Sequence, residues 1–288
     1  MSKPHIFSRR SFLALMAAAP AAAAVRASAA GTARAARQIP VGLELYSVRE
    51  ALGKDLEGTV RSVAGLGYEC VEFYAPYFSW TPDYAHKVRR ELDELKIHCY
   101  STHNDAESFT PDGVAKAAEL NNILGTRYVV MADPGEVKGL DGWKRVAETL
   151  NRANEKLKTH GLHAGYHNHD AEWTPMDGQK PMEVLAANTD KSVMLQLDVG
   201  TCVASGSDPV AWVNSNPGRI RSMHLKDWSP QQKYAVLFGE GVTPWKELLA
   251  AAESAGGVQY YLIEQEGSRF SEMETARRCL AAYRKLRA

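Results

Sequence analysis

The stretch "VMLQLDVGT", residues 193–201, carries the pattern that indicates the fold. Four of its first five residues are apolar, which is typical of a strand that is covered on both faces. The run then reaches an ionisable residue, Asp198, just before a turn. In parallel α/β folds, functional groups lie at the carboxyl ends of the strands. The stretch therefore predicts a buried parallel strand that presents a carboxylate to a site.

Similar β-rich runs recur along the chain. Between them lie amphipathic segments, such as residues 55–67, which carry apolar residues at helical spacing and often end in Gly. Successive runs lie roughly thirty to forty residues apart, as strand–helix units require. The predicted strands are residues 41–47, 69–74, 97–103, 127–132, 162–169, 193–199, 220–227 and 259–265.

Eight strand–helix units predict a single (β/α)8 barrel, a TIM barrel of the α/β class, over residues 39–288. A doubly wound open sheet is the alternative. The first strand–helix turn has no G-x-G-x-x-G motif, which disfavours a dinucleotide-binding sheet. No linker rich in Pro, Gly or Ser divides the region, so we predict one domain.

The predicted strands end on ionisable residues far more regularly than scattered surface charge would. The loops after barrel strands converge on one face, so these side chains should form one site. They are Glu44, Glu72, His103, His167 with His169, Asp198, His224 with Lys226, and Glu264.

The amino terminus has the features of an export signal. Arg9 and Arg10 precede an apolar, Ala-rich run, and residues 27–29 supply small residues for cleavage. This order resembles a twin-arginine signal. We expect a signal peptide over residues 1–29, a flexible segment over residues 30–38, and a periplasmic or extracellular protein. The apolar run is too short for a stable membrane anchor.

Composition narrows the class of partner. The 288 residues carry 34 basic and 34 acidic side chains, for a formal net charge of zero. This balance argues against general binding of nucleic acid or anionic membrane and favours a small-molecule substrate. The four cysteines have no C-x-x-C spacing and are expected to be buried thiols, with a Cys70–Cys99 pair as the alternative.

The last four strands predict a metal site. Side chains alternate between the two faces of a strand, so His167 and His169 share a face, as do His224 and Lys226. Two imidazoles and two carboxylates suit one divalent ion such as Mn²⁺, Co²⁺, Fe²⁺ or Zn²⁺, with Mg²⁺ as a further option. The proposed donors are His167, Asp198, His224 and Glu264.

Seven motifs in this order resemble the sugar phosphate isomerase/epimerase family, whose fold is the xylose isomerase-like barrel. They are "GLELYSVRE", "GYECVEFY", "YHNHDAEW", "QLDVGT", "MHLKDW", "FGEGVTPW" and "YYLIEQE". The similarity runs from about residue 40 to the end. It implies a barrel, one divalent metal, proton transfer on a carbohydrate and, in many members, a homodimer.

The resemblance matches three metal ligands directly, namely Asp198, His224 and Glu264. Many relatives place a Glu on strand five, whereas this chain has His167 there, with His169 as a competitor. Glu172 is a further candidate from the following loop. An imidazole in place of a carboxylate would leave the ion more electrophilic.

Other side chains are candidates for proton transfer or substrate binding. The candidate general bases are Glu72, His103, His169 and Lys226. Lys226 is also placed to stabilise an enolate. The candidate substrate-binding residues are Glu44, Tyr46, Asn168, Trp173, Trp228 and Glu240.

The resemblance implies a metal-dependent isomerase or epimerase that abstracts a proton next to a carbonyl through an enediolate. A keto-glycoside lyase or hydrolase using the same enolate, and a non-catalytic carbohydrate-binding barrel, are the alternatives. An endonuclease of the same fold would need a basic face, which the neutral charge disfavours. Export favours a substrate without phosphate.

Structural roles compete with these assignments. Asp198 could cap a helix, His224 could be a core histidine, and His103 could stabilise a turn. Lys226 and Asp227 could form a surface pair.

Overall fold

A computed structural model describes residues 39–288, and the predicted signal segment lies outside this range. All eight predicted strands are present, although several end earlier than expected. The strands are β1 Val41–Glu44, β2 Cys70–Phe73, β3 His98–Asp105, β4 Tyr128–Asp133, β5 His163–His167, β6 Met194–Asp198, β7 Ser222–Leu225 and β8 Tyr260–Ile263.

The sheet is closed. Each strand pairs in parallel with the next, and β8 pairs with β1. This confirms the (β/α)8 barrel and excludes an open, doubly wound sheet. In the pairing of β6 with β7, Asp198 lies beside His224, and in that of β1 with β2, Glu44 lies beside Glu72. Register therefore places predicted site residues side by side.

Helices cover the outside of the barrel. Several begin at a side chain that caps free backbone N–H groups; Asp55, Thr81 and Thr110 do so for three of them. None of the helices in residues 39–288 has the length and apolar character needed to cross a membrane. The helices are α1 Arg49–Lys54, α2 Leu56–Leu66, α3 Pro82–Leu95, α4 Pro111–Leu124, α5 Gly139–Lys158, α6 Pro181–Asn188, α7 Val199–Ala204, α8 Pro209–Ser215, α9 Trp245–Ala251 and α10 Glu272–Arg287.

Short helical turns follow several strands, and the turn after β1 explains the early end of that strand, whereas β3 runs to Asp105, past its predicted end at residue 103. A 3-10 turn at Leu45–Val48 replaces the predicted continuation of β1, and others follow β2, β3 and β5. The prediction that β5 runs to residue 169 was wrong, because the strand ends at His167. Strand alternation therefore does not decide where His169 points.

The amino-terminal half of the barrel interior is apolar. Its buried cluster consists of Cys70, Tyr128, Val130, Met194, Tyr260 and Leu262.

A bulge between β2 and β3 shifts the pairing after Val71 and Cys99. Ser101, which lies within this bulge, bonds to Glu72 on the neighbouring strand. All four cysteines are buried and free, as expected.

Candidate active site and metal centre

Polar side chains replace apolar ones at the carboxyl end of the barrel. Their exposed fractions are 8% or less, so the layer is almost completely shielded from solvent. Above it lies a cavity of about 570 Å³, whose wall includes Glu44, His103, His167 and Glu264. The buried polar side chains of this layer are Glu44, Glu72, His103, His167, Gln196, Asp198, His224, Lys226 and Glu264.

A compact group of donor atoms lies in this layer, and two of its residues, His167 and Glu264, line the cavity. His167, Asp198 and Glu264 each offer one ligand atom, and these atoms lie within 4.8 Å of one another. His224 Nδ1 is 2.9 Å from Glu264 Oε2, and His167 Nε2 is 3.9 Å from Asp198 Oδ2. Imidazole nitrogens and carboxylate oxygens in this number suit a divalent transition metal.

Asp198 supplies the most direct test of that fit. Its Oδ2 is buried and accepts no hydrogen bond, a costly state for a carboxylate oxygen, and the Lys226 ammonium lies 3.6 Å away, beyond hydrogen-bond distance. A bound cation is a physical reason for such an atom. The other oxygen, Oδ1, accepts a hydrogen bond of 2.8 Å from the N–H of Thr201 and so caps α7. The capping and metal-binding roles use different oxygens and are compatible.

Glu72 lies beneath the donors and is fully buried. One oxygen accepts hydrogen bonds from the Ser101 hydroxyl and, at 3.0 Å, from the Gln196 amide. The other lies 2.7 Å from His224 Nε2 and 3.1 Å from His103 Nε2. Burial raises the pKa of Glu72, but His103 and His224 outweigh it and leave the pKa lowered. Both carboxylate oxygens are therefore occupied by neighbours.

His224 is held between two carboxylates. Burial lowers its pKa, but Glu72 and Glu264 outweigh this and raise it to about 10. Because Glu72 engages Nε2, Nδ1 faces Glu264. A carboxylate on the outer nitrogen of a metal-binding imidazole is a common way to fix the ring. Both nitrogens of this fully buried ring therefore have a carboxylate partner.

The other imidazoles of the layer are neutral. Burial is the main cause of the lowered pKa of His103. Burial and then the charge of His224 lower the pKa of His167 much further. His169 is exposed on the cavity wall, with its ring 4.9 Å from that of His167. Its backbone N–H donates to Glu172, whose other oxygen accepts from Tyr166.

Lys226 is a buried cation rather than half of a surface pair. Its ammonium bonds to Glu266 and lies 3.6 Å from Asp198 Oδ2. Burial lowers its pKa, but Glu264 and Asp198 outweigh this and raise it well above its usual range. The group therefore stays protonated.

Two predicted substrate-binding residues lie on the cavity wall. Glu44 is fully buried; one oxygen accepts from the N–H of Tyr46, and Oε1 has no partner. Tyr46 is 39% exposed and packs edge-on against Tyr74, with ring centres 5.3 Å apart. The pair forms an aromatic wall beside an unpaired acceptor.

The other four predicted substrate-binding residues are not among those that line the cavity. Asn168 bonds to Thr201 and to the backbone N–H of Asp198. Trp173 packs edge-on against Trp212 in the core. The remaining two contact other loop residues. Trp228 lies under Lys233, and Glu240 pairs with Arg269.

Comparison with known proteins identifies the family of this barrel. The family model of the xylose isomerase-like TIM barrel matches residues 60–286. The chain belongs to this family. An inosose dehydratase of Lacticaseibacillus casei is 25% identical in an alignment of 183 residues. This alignment covers 52% of this chain and 61% of that protein. The chain thus spans about 60% of the length of this curated relative of the barrel family.

Solved structures of the barrel family share the fold. A sugar phosphate isomerase/epimerase from Parabacteroides distasonis has a TM-score of 0.72 and 24% identity, covering 86% of this chain and 97% of its own. The IolI protein, solved with a bound zinc atom, has a TM-score of 0.64 and 15% identity, covering 85% and 97%. At these identities the likeness shows the fold alone.

Sequence reasoning missed Gln196 and considered Asp227 only as a surface partner of Lys226. Gln196 lies at the centre of the polar layer, and its place two residues before Asp198 was the signal that could have found it. Asp227 accepts from the N–H groups of Gly239 and Gly241, at 2.9 and 3.0 Å. A Cβ at Gly241 would lie 2.1 Å from the Asp227 side chain. The glycines thus wrap the loop around Asp227.

Proposed function

We propose that this protein is a divalent-metal-dependent enzyme that moves a proton next to the carbonyl of a sugar or keto-sugar. The ion would be held by His167, Asp198, His224 and Glu264. A single observation carries the proposal, namely the unpartnered, buried Oδ2 of Asp198 within a compact set of nitrogen and oxygen donors.

Bound there, a divalent ion would act as a Lewis acid toward a carbonyl and its neighbouring hydroxyl. The chain supplies the proton-transfer groups. His103 and His169 line the cavity as neutral or exposed imidazoles, and either can accept the proton from carbon. Glu72 is a weaker candidate because neighbours occupy both of its oxygens and it does not line the cavity.

Lys226 and Glu44 assist in different ways. The permanently protonated ammonium of Lys226 lies behind the cavity floor, where it stabilises negative charge that develops on the substrate. The unpartnered Oε1 of Glu44, whose carboxyl pKa is raised well above its usual range by burial, can form a hydrogen bond with a substrate hydroxyl. Return of the proton to the neighbouring carbon isomerises the sugar, and return to the opposite face epimerises it.

Elimination is the second candidate, and the inosose dehydratase relatives favour it. The same C–H bond breaks first. The C–O bond of a β-hydroxyl then breaks, a C=C bond forms, and water leaves with the abstracted proton. With a glycoside in place of the hydroxyl, the same elimination would release the alcohol, which takes up the abstracted proton.

The charge of the cavity wall supports an uncharged substrate. Of the side chains in residues 39–288 that line it, six are carboxylic and none belongs to Lys or Arg. Such a wall repels phosphate esters and offers acceptors to hydroxyl groups. The carboxylic residues are Glu44, Asp105, Asp133, Glu172, Glu264 and Glu266. A neutral sugar also agrees with the export signal that we propose from Arg9 and Arg10.

The test combines metal content with proton exchange. Elemental mass spectrometry of wild type, Asp198→Asn and Asp141→Asn compares the site with a matched change at an exposed helix residue. We expect about one equivalent of transition metal in wild type and Asp141→Asn and a loss in Asp198→Asn.

Neutral keto-sugars and keto-glycosides are then incubated in D₂O and followed by NMR. Deuterium at the carbon next to the carbonyl indicates isomerisation or epimerisation, and an alkene product indicates elimination. His103→Gln and His169→Gln identify the base. A wild type that stays metal-free after incubation with Mn²⁺, Co²⁺ and Zn²⁺ would contradict the proposal.

A further inference from the structure

Gln196 occupies the centre of the polar layer. It is fully buried on β6 and contacts side chains of four other strands. Its Nε2 lies 3.0 Å from Glu72 Oε1 and 3.3 Å from Ser222 Oγ. Its Oε1 lies 2.7 Å from His103 Nε2 and 3.1 Å from His167 Nδ1.

The orientation of this amide follows from its neighbours. An ionised carboxylate can only accept hydrogen bonds, so the NH₂ group of Gln196 must face Glu72. Its carbonyl oxygen then faces both imidazoles. Because a carbonyl oxygen only accepts, the ring nitrogens that approach it must carry hydrogen.

We propose that Gln196 is a positioning residue that sets the tautomers of His167 and His103. His167 carries its proton on Nδ1, which leaves the lone pair on Nε2, the nitrogen 3.9 Å from the unpartnered Asp198 Oδ2. His103 carries its proton on Nε2, which is also 3.1 Å from Glu72. Its Nδ1 is then the acceptor. Glu72, by fixing the amide, determines the state of both rings.

Gln196 engages one nitrogen of His167, as Glu72 engages Nε2 of His224. The second nitrogen of His167 is left without a hydrogen bond, whereas that of His224 contacts Glu264 Oε2 at 2.9 Å. The consequence for metal affinity rests on the proposed function, whereas the tautomers themselves do not. Loss of such an outer partner typically weakens metal binding 10- to 100-fold.

The experiment reads the tautomers in the metal-free protein. Long-range ¹H–¹⁵N NMR of ¹⁵N-histidine protein distinguishes Nδ1–H from Nε2–H rings, and a His167→Gln variant assigns the signals of His167. We expect wild-type His167 as the Nδ1–H form. In Gln196→Met we expect that preference to be lost and the Kd for Co²⁺ or Zn²⁺ to rise about 10- to 100-fold.

The matched control is Gln259→Met, which makes the same change near the other end of the barrel, where the amide lies 3.3 Å from the Tyr128 hydroxyl. It should leave the His167 signals and metal affinity unchanged. A wild-type His167 in the Nε2–H form, or a Gln196→Met variant with unaltered tautomers, would overturn the inference. If Gln196→Met does not fold, the tautomer of His167 in the wild-type spectrum is the remaining test, and the Nε2–H form would overturn the inference. The expected tautomers in a protein that binds no metal would support this inference and reject the proposed function.

Discussion

The two ends of strand β6 differ in character although they lie only four positions apart. Met194 belongs to the apolar cluster that fills the amino-terminal half of the barrel. Asp198, on the same face, belongs to the buried polar layer at the carboxyl end, with Gln196 between them. Both ends are fully buried, so burial alone does not distinguish the apolar packing residues from the candidate site residues.

The difference lies in whether polar atoms are satisfied. The apolar cluster gains stability from packing and removal of surface from water. At the carboxyl end, Asp198 and Glu44 each keep a buried oxygen without a partner, at a cost in stability. Such a cost is typical of a site that binds something.

The largest expected effect on stability comes from the apolar end. Met194→Ala should lower the free energy of unfolding by about 2–5 kcal/mol, because it leaves a cavity in a tightly packed interior. Metal stoichiometry should stay as in wild type. Chemical denaturation and elemental analysis measure the two quantities, with Met194→Leu as the volume-conserving control at under about 1.5 kcal/mol. A loss of metal in Met194→Ala would contradict the separation of packing and metal binding between the two ends of β6.

At the carboxyl end of β6 we expect the opposite result, with weaker metal binding and little change in stability. Asp198→Asn should weaken metal binding by more than about 100-fold, since loss of a direct ligand exceeds the effect of an outer partner. An Asn side chain can still cap α7, so the unfolding free energy of the metal-free protein should change by less than about 1 kcal/mol. Calorimetric titration and urea denaturation check both. A strongly destabilised Asp198→Asn would instead favour a purely structural role.

Metal binding at the carboxyl end should raise the stability of the whole folded domain, including the apolar end. At ten times its Kd, an ion that binds only the folded state adds about 1.4 kcal/mol to the unfolding free energy. For a domain of this size we expect a rise in Tm of about 3–6 °C. Thermal unfolding with and without EDTA measures it. Asp198→Asn should show no such rise, and an equal rise in that variant would place the ion elsewhere.

The smallest effect concerns the thiols. Burial is the main cause of the raised pKa of Cys99, to about 12, and of Cys279, to about 11. Reaction requires the thiolate, so iodoacetamide at pH 8 should leave the folded protein almost unmodified. All four cysteines should react after unfolding. Mass spectrometry counts the adducts, and rapid alkylation of Cys70 in the folded state would show that the apolar end opens readily.

Periodicity was enough to predict the barrel, because an apolar strand body and an amphipathic helix each repeat at a fixed spacing. It placed every strand but not every boundary. The sequence suggested that β5 continues to residue 169, whereas the chain turns after His167. After His167 the chain forms a turn instead of continuing to pair with the neighbouring strands. The pattern of apolar and polar residues does not show which of the two forms.

Placement at strand ends was also the better guide to site residues. His103, His167, Asp198, His224 and Glu264 come together, because parallel register brings the ends of neighbouring strands side by side. Candidates outside the strands gave mixed results: Tyr46 and His169 line the cavity, whereas others point elsewhere. Trp173 packs into the core and Glu240 pairs with Arg269, because a loop residue has no periodic constraint on its direction.

The sequence by itself determined the strand–helix repeat and the residue types at the carboxyl ends of the strands, since both follow from local spacing. Only the tertiary structure decided how these groups share their hydrogen bonds. It showed that neighbours occupy both oxygens of Glu72, that one oxygen of Asp198 accepts no hydrogen bond, and that Gln196 contacts two imidazoles. These facts depend on distances between strands far apart in the chain, which no local pattern encodes.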